Sequence, residues 1–182
     1  MTGFSPAWLA MREPFDHAAR AARLAKLFAD QLPPAPRLVD LGGGTGANIR
    51  ALAPAMPAGT TWRLIDDDPD VLAAAREALA GLPVGFEIGD LAADIEAVLG
   101  DAQGITASAL ADLVSQAWID QLFAAAAKRA APVLIVLTVD GWHEFSTVHP
   151  DDELVLNAFA QDQRRDKGFG PALGGNAAEY LA

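Results

Sequence analysis

The sequence predicts an α/β fold, a doubly wound and mostly parallel sheet with helices on both faces, and three observations carry that prediction. Five short runs rich in β-branched and apolar residues, at 38–41, 60–66, 82–88, 104–110 and 132–139, alternate with stretches of helical spacing. The first run leads directly into Gly42, Gly44 and Gly46 and then into a helical pattern, the strand–turn–helix order with which such sheets begin. The last run, Val133-Leu134-Ile135-Val136-Leu137 and its neighbours, is continuously apolar, as a parallel strand covered on both faces should be.

Size and composition set the frame. At 182 residues the chain is read as one domain, long enough to bury about 70% of its unfolded surface. Within it, 1–35 is an N-terminal helical segment, 36–141 a ligand-binding core, and 142–182 an incomplete or atypical C-terminal part. A formal charge of -11 argues against nucleic acid as a partner, since phosphate binding needs basic stripes. The absence of cysteine excludes disulfides and thiolate metal sites and suits a reducing compartment. No apolar run reaches the length of a membrane span, so the expectation is a soluble cytoplasmic protein without a membrane partner. Nothing in the residues sets an oligomeric state.

Taken in order, residues 4–11 mix Trp8 and Leu9 with turn residues, and a helix is predicted over 15–31 from Ala18, Ala21, Leu24, Ala25 and Phe28. Pro33, Pro34 and Pro36 end it. The helix after Gly46 runs to Leu52, where Pro54 and Pro57 break it. Thr60, Thr61, Trp62 and Ile65 mark the second strand. Asp68 is a ready N-cap with Pro69 at the first helical position, and Val71, Leu72, Ala75 and Leu79 give the helix that follows an apolar face. The third strand exits through Gly89-Asp90-Leu91 into a helix predicted over 91–99. The fourth leads past Asp112 into a helix over 115–130, and the fifth into Asp140-Gly141-Trp142-His143. In the tail, 151–163 reads as a helix, 164–171 as a polar turn segment, and the end from Asn176 as a short helix.

The glycine stretch carries the chemistry. Glycines at 42, 43, 44 and 46 let the backbone turn sharply and approach a ligand with no Cβ in the way. The following helix start offers N–H groups and a positive dipole end, and Asp40 adds a negative charge beside the turn. A ligand held there combines a group read by backbone N–H with an amine or cation near Asp40, a description that S-adenosyl-L-methionine meets. Gly42-x-Gly44-x-x-Ala47 also satisfies the dinucleotide form G-x-G-x-x-G/A. The phrase D-x-G-x-G-x-G favours the methyl donor, and a triphosphate is disfavoured because no Gly-Lys-Ser/Thr follows.

The stretch Leu38 to Leu52 resembles motif I of the class I S-adenosylmethionine-dependent methyltransferases, a Rossmann-like superfamily, and the likeness runs in register from about Arg37 to Gly141. Asp66 ends the second strand 20 residues after Gly46. A carboxylate there accepts from both ribose hydroxyls, and Ile65-Asp66-Asp67-Asp68-Pro69 resembles the family motif for that task. Ribose binding would serve NAD equally well, and helix capping is the other reading of these acids. By the same resemblance, Asp90 accepts the adenine amino group and the Leu91 N–H reads a ring nitrogen, with Asp90 also able to cap a helix. Ser108 and Asp112 fall at the carboxyl end of the fourth strand, near where a methyl group leaves. Arg12 and Arg20 are in range of a ligand carboxylate, or are solvated and paired surface charges.

Methyl transfer needs alignment more than a particular catalytic residue, so the catalytic group stays unassigned. His143 and Asp140 fall near the expected acceptor pocket; His17 and His149 are weaker candidates, and no spacing supports a metal. The expected activity is methylation of a small-molecule acceptor. Its alternatives are an NAD(P)-binding oxidoreductase using the same loop, against which Tyr180 is the only tyrosine, and a non-catalytic nucleotide-binding module. The antiparallel strand pair that ends the family's sheet has no counterpart in the tail, so a truncated or atypically short chain is expected.

Overall fold

A computed structural model describes residues 4–182. Two helices come first, α1 (Pro6–Ala19) and α2 (Ala22–Ala29), followed by β1 (Arg37–Leu41), α3 (Ala47–Leu52), β2 (Thr61–Asp66), α4 (Pro69–Ala78) and β3 (Val84–Ile88). Then come α5 (Ile95–Leu99), β4 (Gly104–Ser108), α6 (Gln116–Arg129), β5 (Val133–Val136), α7 (Asp152–Gln163) and α8 (Ala177–Leu181). The strands form one parallel sheet in the order β3-β2-β1-β4-β5. Chain direction across the sheet reverses between β1 and β4, and the crevice outside that switch point is where open α/β sheets bind ligands.

Alternation along each strand builds two cores. Val39, Leu41, Ile65, Ile105 and Ala107 pack under α5 and α6, with Ile119 and Leu122 among the buried residues of that layer. Leu38, Trp62, Leu64 and Leu134 point the other way, toward Phe28 of α2, Ile49 of α3 and Leu72 of α4. By the same period of two, Asp40 and Thr106 lie on the second face, paired in register across β1 and β4. Two polar side chains thus sit inside an otherwise apolar layer.

The predicted doubly wound sheet and its five strands are present, with corrections. The helix expected over 15–31 is two helices, and the first begins early, because Ser5 caps the Trp8 N–H and Pro6 takes the first position. Pro14 lies within α1, and the break falls instead at Arg20 and Ala21, both in extended backbone. The helix expected from Leu91 starts at Ile95, where Asp94 accepts from the Glu96 N–H (3.0 Å). Strands four and five end sooner than expected, since Ala109 (φ 53°) and Leu137 (φ 58°) turn into left-handed backbone. In β5 only Leu134 is fully buried: it is the sheet's edge, covered on fewer sides than its continuous apolar run implied. No further strand follows it among the described residues.

Candidate functional site

Site geometry starts from Asp40. Its carboxylate is fully buried (0% exposed), and one oxygen, Oδ1, accepts from Asn48 Nδ2 (2.5 Å) and Thr106 Oγ1 (2.6 Å). The other, Oδ2, has no partner among the described residues. Loss of hydration dominates, and burial raises the Asp40 pKa from 3.8 to about 6 against the opposing hydrogen bonds from Thr106 and Asn48. Gly43 leaves that bare oxygen its room: a Cβ there would lie 2.8 Å from Oδ2 and 2.6 Å from Leu64 Cγ. Gly46, at φ 80°, must lack a side chain for a different reason, since a Cβ would strike Leu79 Cδ1 at 2.5 Å. Gly42 and Gly44 take positive φ as well, at 61° and 52°.

Arg20 closes the arrangement from the α1–α2 junction. Its guanidinium donates to Asn48 Oδ1 (2.7 Å) and to Ser108 Oγ (3.2 Å), tying β4 and α3 together over the switch point. Burial pushes its pKa down while Asp40 nearby pulls it back up, and a guanidinium so shifted stays charged. Its Nε–H is buried without a partner. Of the three buried side-chain polar atoms lacking a partner among the described residues, two are therefore an acceptor on Asp40 and a donor on Arg20, joined through Asn48. Buried polar atoms are nearly always paired, so these two, one acceptor and one donor of opposite charge, stand out within the layer.

Asp66 stands at the end of β2. Oδ2 accepts from the Gly44 N–H (2.8 Å) and Oδ1 from the Asp68 N–H (3.1 Å), which leaves each oxygen a lone pair for a further donor. Burial raises its pKa despite those two bonds. Asp68 caps α4 as expected, accepting from the Asp70 N–H (2.8 Å). Asp67 is exposed beside it. Asp90, also exposed, accepts from the Ala92 N–H (2.8 Å) in a turn, so it caps no helix. Leu91 is buried, its carbonyl accepts from Trp118 Nε1 (2.7 Å), and its side chain faces Gly42. Asp112, beyond β4, is half-buried, and burial pushes its carboxyl up; Lys167 and Arg12 partly offset that.

The sheet's carboxyl edge thus carries Asp40, the glycines, Asp66 and Ser108 together, whereas Asp67 and Asp90 lie on its exposed rim. Arg12 is half-buried: it pairs with Asp16 (2.8 Å), lies over the Trp8 ring, and its charge reaches Asp112. His17 sits beside Glu13 and His149 beside Asp151, each at 3.6 Å. Sequence reading missed Asn48 and Thr106, since the register that sets Thr106 beside Asp40 is fixed only when β1 and β4 pair. It also missed the clamp in which Arg50 grips Glu13 of α1 through two bonds (2.9 and 2.5 Å) while donating to the Thr45 carbonyl (2.7 Å). The expected helix-dipole contribution is small, because α3 has only six residues.

No protein-family model and no curated protein matches the sequence. Solved structures do share the fold. The sugar N-methyltransferase KedS8 from a Streptoalloteichus species is 20% identical, with a TM-score of 0.56 over 81% of this chain and 59% of that one. A SAM-dependent methyltransferase from Aquifex aeolicus is 16% identical, with a TM-score of 0.51 over 88% of each chain. A Rhodobacter sphaeroides protein reported as a Zn-dependent alcohol dehydrogenase is 16% identical, with a TM-score of 0.52 over 79% of this chain and 54% of that one. The chain spans about three fifths of the sugar N-methyltransferase. It shares the Rossmann-like α/β fold of these structures; which chemistry that fold hosts rests on the side chains.

Proposed function

We propose that this chain binds S-adenosyl-L-methionine and transfers its methyl group to a small-molecule acceptor. The observation that carries the reading is the pair of unpartnered buried atoms, Asp40 Oδ2 and Arg20 Nε, at the switch point. An amino acid's ammonium and carboxylate match that pair in charge and in hydrogen-bond sense. A dinucleotide's pyrophosphate would meet the Asp40 carboxylate under the loop as like charge in a dry environment, where such repulsion is least screened. The oxidoreductase reading is weaker still because Tyr180, on α8, donates to Asp120 on α6.

In this reading Asp40 holds the ammonium and Arg20, positioned by Asn48 and Ser108, the carboxylate. Gly42, Gly43, Gly44 and Gly46 keep the backbone bare for close approach. Asp66 takes the ribose hydroxyls on its free lone pairs, with Asp67 beside it, and Asp90 and the Leu91 backbone take the adenine edge. The bound donor supplies an electrophilic methyl on a sulfonium. What the chain contributes is alignment and exclusion of water, which suffice for an in-line displacement.

Calorimetric titration with S-adenosylhomocysteine, NAD and NADP tests the assignment. The homocysteine product should bind and the dinucleotides should not. Asp66→Ala is expected to weaken it by about 1.5–3 kcal/mol, the range for hydrogen bonds to a charged group. Tight NAD binding would overturn the reading, and unchanged affinity in the variant would remove Asp66 from the site.

A further inference from the structure

A surface helix ordinarily turns its apolar stripe to the core and its charges to water; α1 does the reverse. At about 100° per residue, Arg12, Glu13, Asp16 and His17 share one half of the helix. Ala7, Trp8, Met11, Pro14, Phe15 and Ala18 fill an uncharged arc of about 120° opposite them. The charged half faces the molecule, where Glu13 grips Arg50 and Leu9 lies against Gly44. The apolar arc faces outward, and all six of its residues are exposed. Trp8 is 37% exposed, Met11 65% and Phe15 75%; Phe4, just before the helix, is 52% exposed and stacks on Trp8 with 4.6 Å between ring centres. At about 200 Å² per side chain of this size, the four leave about 450 Å² of apolar surface on one side of the helix. Patches of that size on monomers are often functional.

Spacing, area and charge point to one occupant. Trp8, Met11 and Phe15 recur three and four residues apart, the alternation of a helix–helix seam. Two antiparallel copies would set Trp8 of one beside Met11 of the other, and Phe15 beside Phe4. Such a pair would bury about 900 Å² from these side chains and about 1,200 Å² with Ala7, Pro14 and Ala18, the lower limit of stable interfaces. Residues 4–31 carry four of the 13 basic and three of the 24 acidic side chains. The formal charge of -11 therefore resides elsewhere, and two chains repel each other least at this face. A helix that lies on lipid lines its polar face with Lys and Arg. Here Arg12 is neutralised by Asp16 and rests on Trp8, 5.1 Å from the ring centre.

We propose that a second copy of this chain docks on the outer stripe of α1, helix against antiparallel helix about a two-fold axis, and that the pairing holds the inner face of α1 on the glycine loop. α1 buries no residue of its own, so its position depends on Leu9, on the Glu13–Arg50 pair and on the cover over the stripe. The second half of the proposal rests on the methyl-donor reading above, in which Arg20, the C-cap of α1, takes the donor's carboxylate. Pairing and donor binding then strengthen one another by the same factor.

Sedimentation velocity of the full chain from about 1 to 200 µM tests this, with a Kd in the micromolar range expected of a small interface. The mass should rise from 19.0 kDa to twice that value. Phe15→Lys, at an exposed side chain, should leave the circular dichroism unchanged and weaken association at least tenfold. Val148→Lys, the same change of charge at a side chain 90% exposed outside the stripe, should leave association unchanged. S-adenosylhomocysteine should tighten the wild-type dimer about threefold or more, and should bind Phe15→Lys more weakly by the same factor. A chain that stays at 19.0 kDa throughout overturns the proposal, in favour of a lipid surface if it sediments with phosphatidylcholine vesicles. Association that Phe15→Lys leaves intact overturns the seat on α1, and equal affinity of dimer and variant for S-adenosylhomocysteine overturns the coupling. A dimer that binds no S-adenosylhomocysteine at all removes the donor reading and leaves the docking surface standing.

Discussion

At the scale of single residues, Asp40 sets the terms of the site. A carboxyl raised from 3.8 to about 6 holds its proton more tightly in the folded chain than in the unfolded one. Its contribution to stability is therefore whole below the ordinary carboxylate value and is lost as pH rises from near 4 through about 6, a change of roughly 3 kcal/mol by linkage. At neutral pH the protein carries a buried, half-partnered charge, a cost that the cationic group of the proposed donor would offset. Asp40→Asn separates the two effects. The amide oxygen keeps the Asn48 and Thr106 donors, and no charge remains to be desolvated. The variant is expected to melt roughly 5–10 °C above the wild type at pH 7.5 and to lose most of that advantage at pH 4. Its affinity for S-adenosylhomocysteine should fall at least tenfold, on the scale of a charged hydrogen bond. Thermal melts at the two pH values and one titration decide it; equal melting at pH 7.5 would mean that the buried charge costs nothing.

At the scale of elements, α1 is the piece whose role depends on its attachments. It buries no residue; Leu9 touches the glycine loop, with its Cδ1 3.4 Å from where a Gly44 Cβ would be, and Glu13 grips Arg50. Arg50's hydrogen bond holds the Glu13 carboxyl below its usual range, so this clamp is present above the ordinary glutamate value and lost as pH falls through the lowered one. Glu13→Gln should cost about 1 kcal/mol or less in global stability but should visibly speed amide exchange over 6–19 and the dissociation of S-adenosylhomocysteine. Exchange unchanged in α1 would show that Leu9 and its neighbours, not the ion pair, hold the helix. Sequence made the strand–loop–helix units legible because each rests on local signals: β-branched runs, Asp68-Pro69 before α4, glycines after β1. The break at Arg20 was hidden, since no glycine or proline marks it, and the Arg20 contacts to Asn48 and Ser108 are distant in sequence. For the same reason Asp40, Asp66 and the glycines could be marked in advance, while Asn48, Thr106 and the Glu13–Arg50 clamp exist only once β1, β4, α1 and α3 are assembled.

At the scale of the whole molecule, burial is distributed unevenly across the sheet. β1 is flanked by β2 and β4, and its Leu38, Val39, Asp40 and Leu41 are all buried. β5 has a partner on one side only, and α7 adds no buried side chain behind it. Six exposed large apolar residues, Trp142, Phe145, Val148, Leu154, Val155 and Phe159, lie in that region. Local opening costs least where apolar contacts are fewest, so amide protection should be graded from one end of the sheet to the other. In β1 and β4, exchange should require global unfolding, about 5–15 kcal/mol; in α7 it should proceed by local opening at close to zero cost. Hydrogen exchange read by mass spectrometry measures both at once. Protection in α7 equal to that of β1 would contradict the ranking by burial and make α7 part of the main folding unit.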